Sequence, residues 1–228
     1  MKETEKKNLL TGAGLLAAFV IWTVLILRID VRPVGPLESR VGFAAFNVWF
    51  HQVTGVHMTL YTVTDWLGLV PVMICLCYGV LGAAQLIRRK SLRRVDPDII
   101  LLGGYYILVI AAYQFFEMVP VNYRPVLIDG VLEASYPSST TLLVLSVMPT
   151  LKFQTDRRSG KGPVRTAAAV FAAAFSAFMV IGRLVAGVHW ATDIIGSVLL
   201  SFGLFAMYRF AAGMVDRKTE EGRKNGVQ

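Results

Sequence analysis

Apolar residues along this chain gather into long windows separated by short basic or mixed segments, rather than alternating as they do in a soluble fold. The windows run over about 9–27, 66–87, 99–116, 138–151, 164–182 and 190–208. Most approach or exceed the length that carries a helix across a hydrocarbon layer about 30 Å thick. The fourth is short, at 14 residues. It reaches farther if its first turn lies in a buried polar site, because a helix satisfies its own backbone. The pattern predicts an all-α polytopic membrane helix bundle with six transmembrane helices, built as a single domain over 1–228.

Between positions 29 and 65 the chain is too polar for a plain span and too apolar for a loose loop. Residues 43–50 are expected to form a short amphipathic helix at the interface, or part of a lid over a site. Trp49 and Trp66 suit an interfacial aromatic belt. His51 and His57 have no acid at metal-ligand spacing and are expected in structural or interfacial roles.

Composition supports the membrane reading: 55% of residues are hydrophobic and 17% are charged, against about 25% charged in ordinary soluble domains. The net charge of +8 does not imply nucleic acid, because the basic residues sit between apolar runs rather than on a basic face. Alternating six spans from a cytoplasmic N-terminus puts 18 of the 23 Lys and Arg residues inside. That is the bias of the positive-inside rule, with both termini cytoplasmic. Outside fall Asp30, Glu38, Asp65, Glu117, Asp129, Glu133 and Asp193. Lys2, Lys6 and Lys7 could open a signal peptide, but the window behind them is long enough to span and no small-x-small cleavage site follows. A retained first span is expected. Cys75 and Cys77, two apart on a helix with no metal partners nearby, are expected as buried small hydrophobes.

Three polar clusters interrupt the apolar background, and the six-span alternation puts them at one membrane face. The first runs from Glu117 to Arg124-Pro125, the second is Tyr136-Pro137-Ser138-Ser139-Thr140, and the third runs from Gly182-Arg183 to His189 and Asp193. His189 and Asp193 are four apart, so at the start of a helix they would share one face and contact each other. An acid that takes one ring proton fixes the imidazole tautomer and leaves the other nitrogen free to attack. Arg124 and Arg183 suit a phosphoryl group, since guanidinium holds two anionic oxygens in a planar fork. Pro137-Ser138 reads as a helix start, with free backbone donors that favour a bound anion. Each residue also has a bland role, as cap, headgroup anchor or interhelix hydrogen bond.

At these residues the chain resembles the type 2 phosphatidic acid phosphatase family, the PAP2 group of the membrane acid-phosphatase-like superfamily. The third family motif is Ser-Arg, five residues, His, three residues, Asp. Here it reads Gly182-Arg183, five residues, His189, three residues, Asp193. The resemblance implies that His189 is a nucleophile forming a phosphohistidine, that Asp193 orients it, and that Arg124, Ser138, Ser139 and Arg183 bind phosphate. No metal or other cofactor is implied.

The departures are equally specific. Glu117 stands where the first motif has lysine, and it is expected to pair with Arg124 or Arg183 in an empty site. Gly182 replaces serine and is expected to offer its backbone N–H instead. Thr140 replaces the histidine that protonates the leaving oxygen, and loss of such an acid commonly costs about 10²–10⁴ in rate. Asp129, Glu133 and Glu117 are possible substitute acids. The family implies a membrane phosphatase acting on a lipid phosphate or polyprenyl pyrophosphate, its site facing the non-cytoplasmic side of a bacterial inner or plasma membrane. The departures leave an alternative: a non-catalytic protein that binds phosphorylated lipid as carrier, sensor or partner subunit. The expected partners are therefore membrane lipids and a phosphorylated amphiphile.

Overall fold

The computed structural model describes residues 1–159 and 162–225. Lys161, counted above with a basic segment, and the last three residues of the expected domain lie outside them. Eight α-helices follow in order: α1 (Glu3–Arg28), α2 (Ala44–Thr54), α3 (Met58–Leu67), α4 (Leu69–Arg89), α5 (Pro97–Met118), α6 (Ser139–Arg158), α7 (Pro163–Val185) and α8 (Ala191–Asn225). A two-residue antiparallel pair, β1 (Arg32–Pro33) with β2 (Arg40–Val41), folds the chain back between α1 and α2. The amphipathic stretch expected near 43–50 is α2.

The protein is a polytopic membrane helix bundle. Among the described residues, five helical stretches are long and apolar enough to cross a membrane: Glu3–Arg28, Met58–Arg89, Pro97–Met118, Pro163–Val185 and Ala191–Glu221. Their outward faces carry large apolar side chains such as Val20, Val80, Ile107 and Val170, as a hydrocarbon solvent requires. Cys77 is exposed on such a face and Cys75 is half-buried, so the expectation that both are buried fails. The pair still sits among apolar residues.

Helix α6 is the exception to the apolar rule, and its packing gives the reason. It contacts α4, α5, α7 and α8, and Thr141, Ser146, Thr150 and Gln154 along it are fully buried. A helix enclosed by other helices has little need of a lipid-compatible surface, and polar groups can bind its neighbours. Tyr106 Oη lies 2.7 Å from Thr150 Oγ1, and Gln154 Nε2 donates to Tyr208 Oη at 2.8 Å. Tyr105 Oη donates to the Ser146 carbonyl at 3.1 Å. The fourth window looked short because it faces protein.

One apolar cluster joins α1, α5, α6 and α8 through Phe19, Ile26, Leu102, Val109, Leu142, Val147, Leu200 and Leu204. At the ends of the helices remote from His189, Arg157 grips Asp216 through both terminal nitrogens, and Arg158 Nη2 bonds Asp98 at 2.6 Å. These half-exposed pairs fix register more than they add stability.

Candidate active site

The segment between α5 and α6 folds as a small hairpin. Asp129 and Gly130 both have positive φ, 50° and 79°, the backbone that a tight Asp-Gly turn demands. Ile128 and Val131 exchange hydrogen bonds across it, and Arg124 N donates to the Glu133 carbonyl at 3.0 Å. Ser135 N donates to the Asn122 carbonyl at 2.9 Å. This register presents Asn122, Arg124, Glu133 and Ser135 to the start of α8.

There Asp193, fully buried, is enclosed by donors. Asn122 Nδ2 donates to Oδ1 at 3.0 Å, and Trp190 N donates to Oδ2 at 2.9 Å, as an acid in a first helical turn often accepts. Ser135 Oγ donates to the same Oδ2. His189 does not share a helical face with Asp193, because α8 begins only at Ala191. The imidazole instead reaches Asp193 through Ser135: Nδ1 lies 3.1 Å from Ser135 Oγ and 3.1 Å from the Ser135 carbonyl. A carbonyl only accepts, so these partners assign the proton to Nδ1. Nε2 is therefore unprotonated, and it accepts a hydrogen bond from Arg183 Nη2 at 3.2 Å. Burial, then the charges of Arg183 and Arg124, hold His189 well below the ordinary histidine value. A neutral imidazole whose unprotonated Nε2 exchanges that bond for a substrate can act as a nucleophile.

The two arginines converge on one aromatic ring. The Arg183 guanidinium stands 4.9 Å from the Tyr61 centroid and that of Arg124 stands 5.9 Å from it. Both are buried, yet Arg183 Nε and Nη1 and Arg124 Nη1 have no hydrogen-bond partner among the described residues. Arg124 Nε is 2.9 Å from Glu133 Oε2, although its N–H is poorly aligned with that oxygen. Buried charged donors without acceptors are costly. The arrangement can satisfy them with the oxygens of a bound anion.

The remaining expected residues divide. Ser138 is fully buried, donates to Thr141 Oγ1 at 3.1 Å, and accepts from Ser197 Oγ at 3.0 Å. Ser139 and Thr140 open instead onto a cleft of about 460 Å³ between α4, α5 and α6, shared with Asp65, Tyr113 and apolar residues such as Leu69, Val72, Val109 and Ile110. Glu117 is exposed at the end of α5 and, among the described residues, forms no ion pair. The pairing expected of it falls to Glu133 with Arg124, while Arg183 Nη1 has Asp65 at 3.8 Å. Asp129 is exposed at the hairpin tip rather than at the arginines. Gly182 lies inside α7, where the helix repeat turns its N–H to an earlier carbonyl. The N–H expected from it is thus not free, and its missing side chain has another use: a Cβ there would stand 2.8 Å from Thr64 Cγ2 of α3.

Further residues hold this geometry without having been expected to. Asn47 of α2, fully buried, donates to Thr192 Oγ1 at 2.9 Å and to the Gly42 carbonyl at 2.8 Å. Trp190 Nε1 donates to the Tyr123 carbonyl at 2.8 Å. His51 Nε2 lies 3.1 Å from the Gly187 carbonyl and His57 Nε2 lies 2.8 Å from the Thr54 carbonyl, both structural contacts. Among the described residues, no three His, Cys, Asp or Glu side chains are grouped to hold a metal.

A buried histidine, its acid-linked serine and two buried arginines with unsatisfied donors, on a membrane helix bundle, fit a phosphatase-like membrane protein. The sequence matches the PAP2 superfamily over residues 70–213, and the chain belongs to that superfamily. No curated protein gives a significant match. Among solved structures, the fold is similar to the crystal structure of the first transmembrane PAP2-type phosphatidylglycerolphosphate phosphatase from Bacillus subtilis, with a TM-score of 0.60. The two sequences are 15% identical, over 90% of this chain and 96% of that one. At that identity the likeness is one of fold.

Proposed function

We propose that this chain is a membrane phosphatase that hydrolyses a lipid phosphate or polyprenyl pyrophosphate through a phosphohistidine on His189. The observation that carries the proposal is Arg183, whose Nε and Nη1 are buried with no hydrogen-bond partner among the described residues and whose Nη2 donates to the unprotonated His189 Nε2. Phosphate oxygens satisfy those donors and those of Arg124, which brings phosphorus in front of Nε2. Ser135 relays the charge of Asp193 to Nδ1–H as positive charge develops on the ring. The N-terminal N–H groups of α6, beginning at Ser139, add donors on the cleft side.

The apolar walls of the cleft support a substrate whose tail stays among hydrocarbon while its headgroup enters between the arginines. The name of the Bacillus subtilis relative adds phosphatidylglycerol phosphate to the lipids worth testing. In this proposal α6, 20 residues long, also crosses the membrane, fourth in chain order and bringing the total to six, both termini are cytoplasmic, and the site opens to the non-cytoplasmic side of a bacterial membrane. Labelling of single cysteines introduced near Arg124, His189 and Arg88 in sealed cells tests this. Equal accessibility of all three sites contradicts it.

One observation favours a second reading, in which phosphorylated lipid is bound and not turned over: Thr140 occupies the place of the family's acid. The two readings separate on phosphate release by the purified protein from a panel of lipid monophosphates and pyrophosphates. Turnover that His189→Ala abolishes, with lipid binding retained, supports the enzyme. Binding without release across the panel supports the binder.

A further inference from the structure

Helix α3 is built into the site by contacts of unusual closeness. His57 N donates to the Ala186 carbonyl at 3.0 Å. Gly187 has φ +70°, and a Cβ on it would collide with the Gly55 carbonyl at 2.0 Å, so the α2–α3 link lies directly on the turn that precedes His189. Two turns of α3 farther on, Thr64 is fully buried against Gly182, where a Cβ would stand 2.8 Å from the Thr64 methyl, so a serine there would force Thr64 or α3 to shift. The glycine in the third motif and the seat of α3 therefore go together. That seat puts Tyr61 beneath both guanidiniums and Asp65 beside Arg183.

Asp65 differs from every other carboxylate near the arginines. Glu133 is engaged with Arg124 at 2.9 Å, Glu117 is exposed at the end of α5, and Asp129 is at the hairpin tip. Asp193 is fully buried and surrounded by donors. Asp65 stands 3.8 Å from Arg183 Nη1, beyond hydrogen-bond reach, with 58% of its side chain open to solvent. The other terminal nitrogen of the same guanidinium faces His189 Nε2 at 3.2 Å. The two terminal nitrogens of one guanidinium thus face the imidazole and the carboxylate, so a phosphoryl group gripped by that fork would have one on either side. Asp65 also lines the cleft together with Ser139 and Thr140, the position from which the family's histidine is absent.

Resting on the reading of this site as a phosphatase, we propose that Asp65 is the general base that activates water against the phosphohistidine, and that the substrate is a phosphoanhydride of a lipid. In the first step His189 Nε2 bonds phosphorus while the P–O bond to the lipid monophosphate breaks. The departing oxygen keeps the electron pair and needs no proton from position 140. In the second step water bonds phosphorus, its proton passes to the Asp65 carboxylate and then to solvent, and the P–N pair returns to Nε2. A neutral threonine suffices where the leaving group is already a stable anion, and the carboxylate takes the half of the work that threonine cannot do.

The test is rapid-quench kinetics with a lipid pyrophosphate labelled in its terminal phosphate, on purified wild type, Asp65→Asn, and Asp65→Asn with Thr140→His. Asp65→Asn is expected to form the labelled protein within a few-fold of the wild-type rate, yet to release phosphate about 10²-fold more slowly. Label should accumulate, and Thr140→His should recover at least part of the release. A mere counter-ion for Arg183 predicts release unchanged, or tighter lipid binding without accumulation, and either result overturns the proposal. Equal loss of labelling and release does so too. If the wild type neither labels nor releases phosphate, the phosphatase reading itself fails, an outcome distinct from wild-type turnover that ignores Asp65.

Discussion

The two sides of the candidate site differ in how completely they are built. On the side of α7 and α8, His189 has both ring nitrogens occupied in distinct roles, and Asp193 accepts from three donors. On the side of α5 and α6, Glu117 is exposed and unpaired, and Thr140 opens onto an apolar cleft. In the proposed reaction the first side would attack phosphorus, while the second lacks the lysine and histidine of the family motifs that would help a poor leaving group depart. The comparison teaches that attack and departure are separable demands, and that a good leaving group relaxes only the second.

The largest expected effect falls on the built side. His189→Ala should lower turnover by roughly 10⁴-fold or more while lipid binding persists, because the proposed phosphoryl acceptor is removed and both arginines remain. Arg183→Ala should weaken binding and lower kcat by about 10²–10³, since its charge assists both the bound phosphate and the transition state. Steady-state kinetics beside a lipid-binding assay separate the two variants.

Changes on the other side sharpen the comparison. Thr140→His should raise hydrolysis of lipid monophosphates by up to about 10²-fold and that of pyrophosphates much less, because only the ester needs a proton on its leaving oxygen. Full recovery is expected only with Glu117→Lys as well. Equal gains on both substrates would mean that leaving-group protonation is not the missing function.

Smaller effects probe the supports. Ser135→Ala leaves Asp193 one donor short and should cost about 1–3 kcal/mol of stability, with activity reduced but not lost because the Ser135 carbonyl still holds Nδ1–H. Gly182→Ser should cost about 1–3 kcal/mol by overpacking against Thr64, read as a lowered Tm in detergent. The pH profile offers the subtlest check. Burial and the two arginines lower the His189 pKa in the fold, so Nε2 keeps its lone pair as pH falls through 6.5. The acid limb of kcat/KM due to this group should lie below 6.5. Below that pH the unfolded chain binds the extra proton, so stability should decline with falling pH.

What the sequence made legible follows the same division. Arg124, Arg183, His189 and Asp193 stand out because they gather in polar clusters at or near the ends of apolar windows, which the six-span alternation puts at one face. Their linker, Ser135, did not, since a serine beside a turn has many ordinary roles and its partners lie 54 and 58 positions away. Asp65 and Tyr61 gave no motif at all; only the packing of α3 on Gly182 and Ala186 reveals their place. The fourth span was hard to read for a related reason, as hydropathy registers contact with lipid while α6 is enclosed by protein. Glu117 was misjudged because its motif spacing fixed its position in the chain but not the direction of its side chain.

The central claim is that His189 Nε2 carries the phosphoryl group. Its most direct test is to quench purified protein during turnover of a lipid pyrophosphate labelled in the terminal phosphate, and to map the label. An acid-labile, alkali-stable phosphoryl group on His189, absent from His189→Ala, is the predicted result. Sustained phosphate release from His189→Ala, or a label on any other residue, would contradict the account.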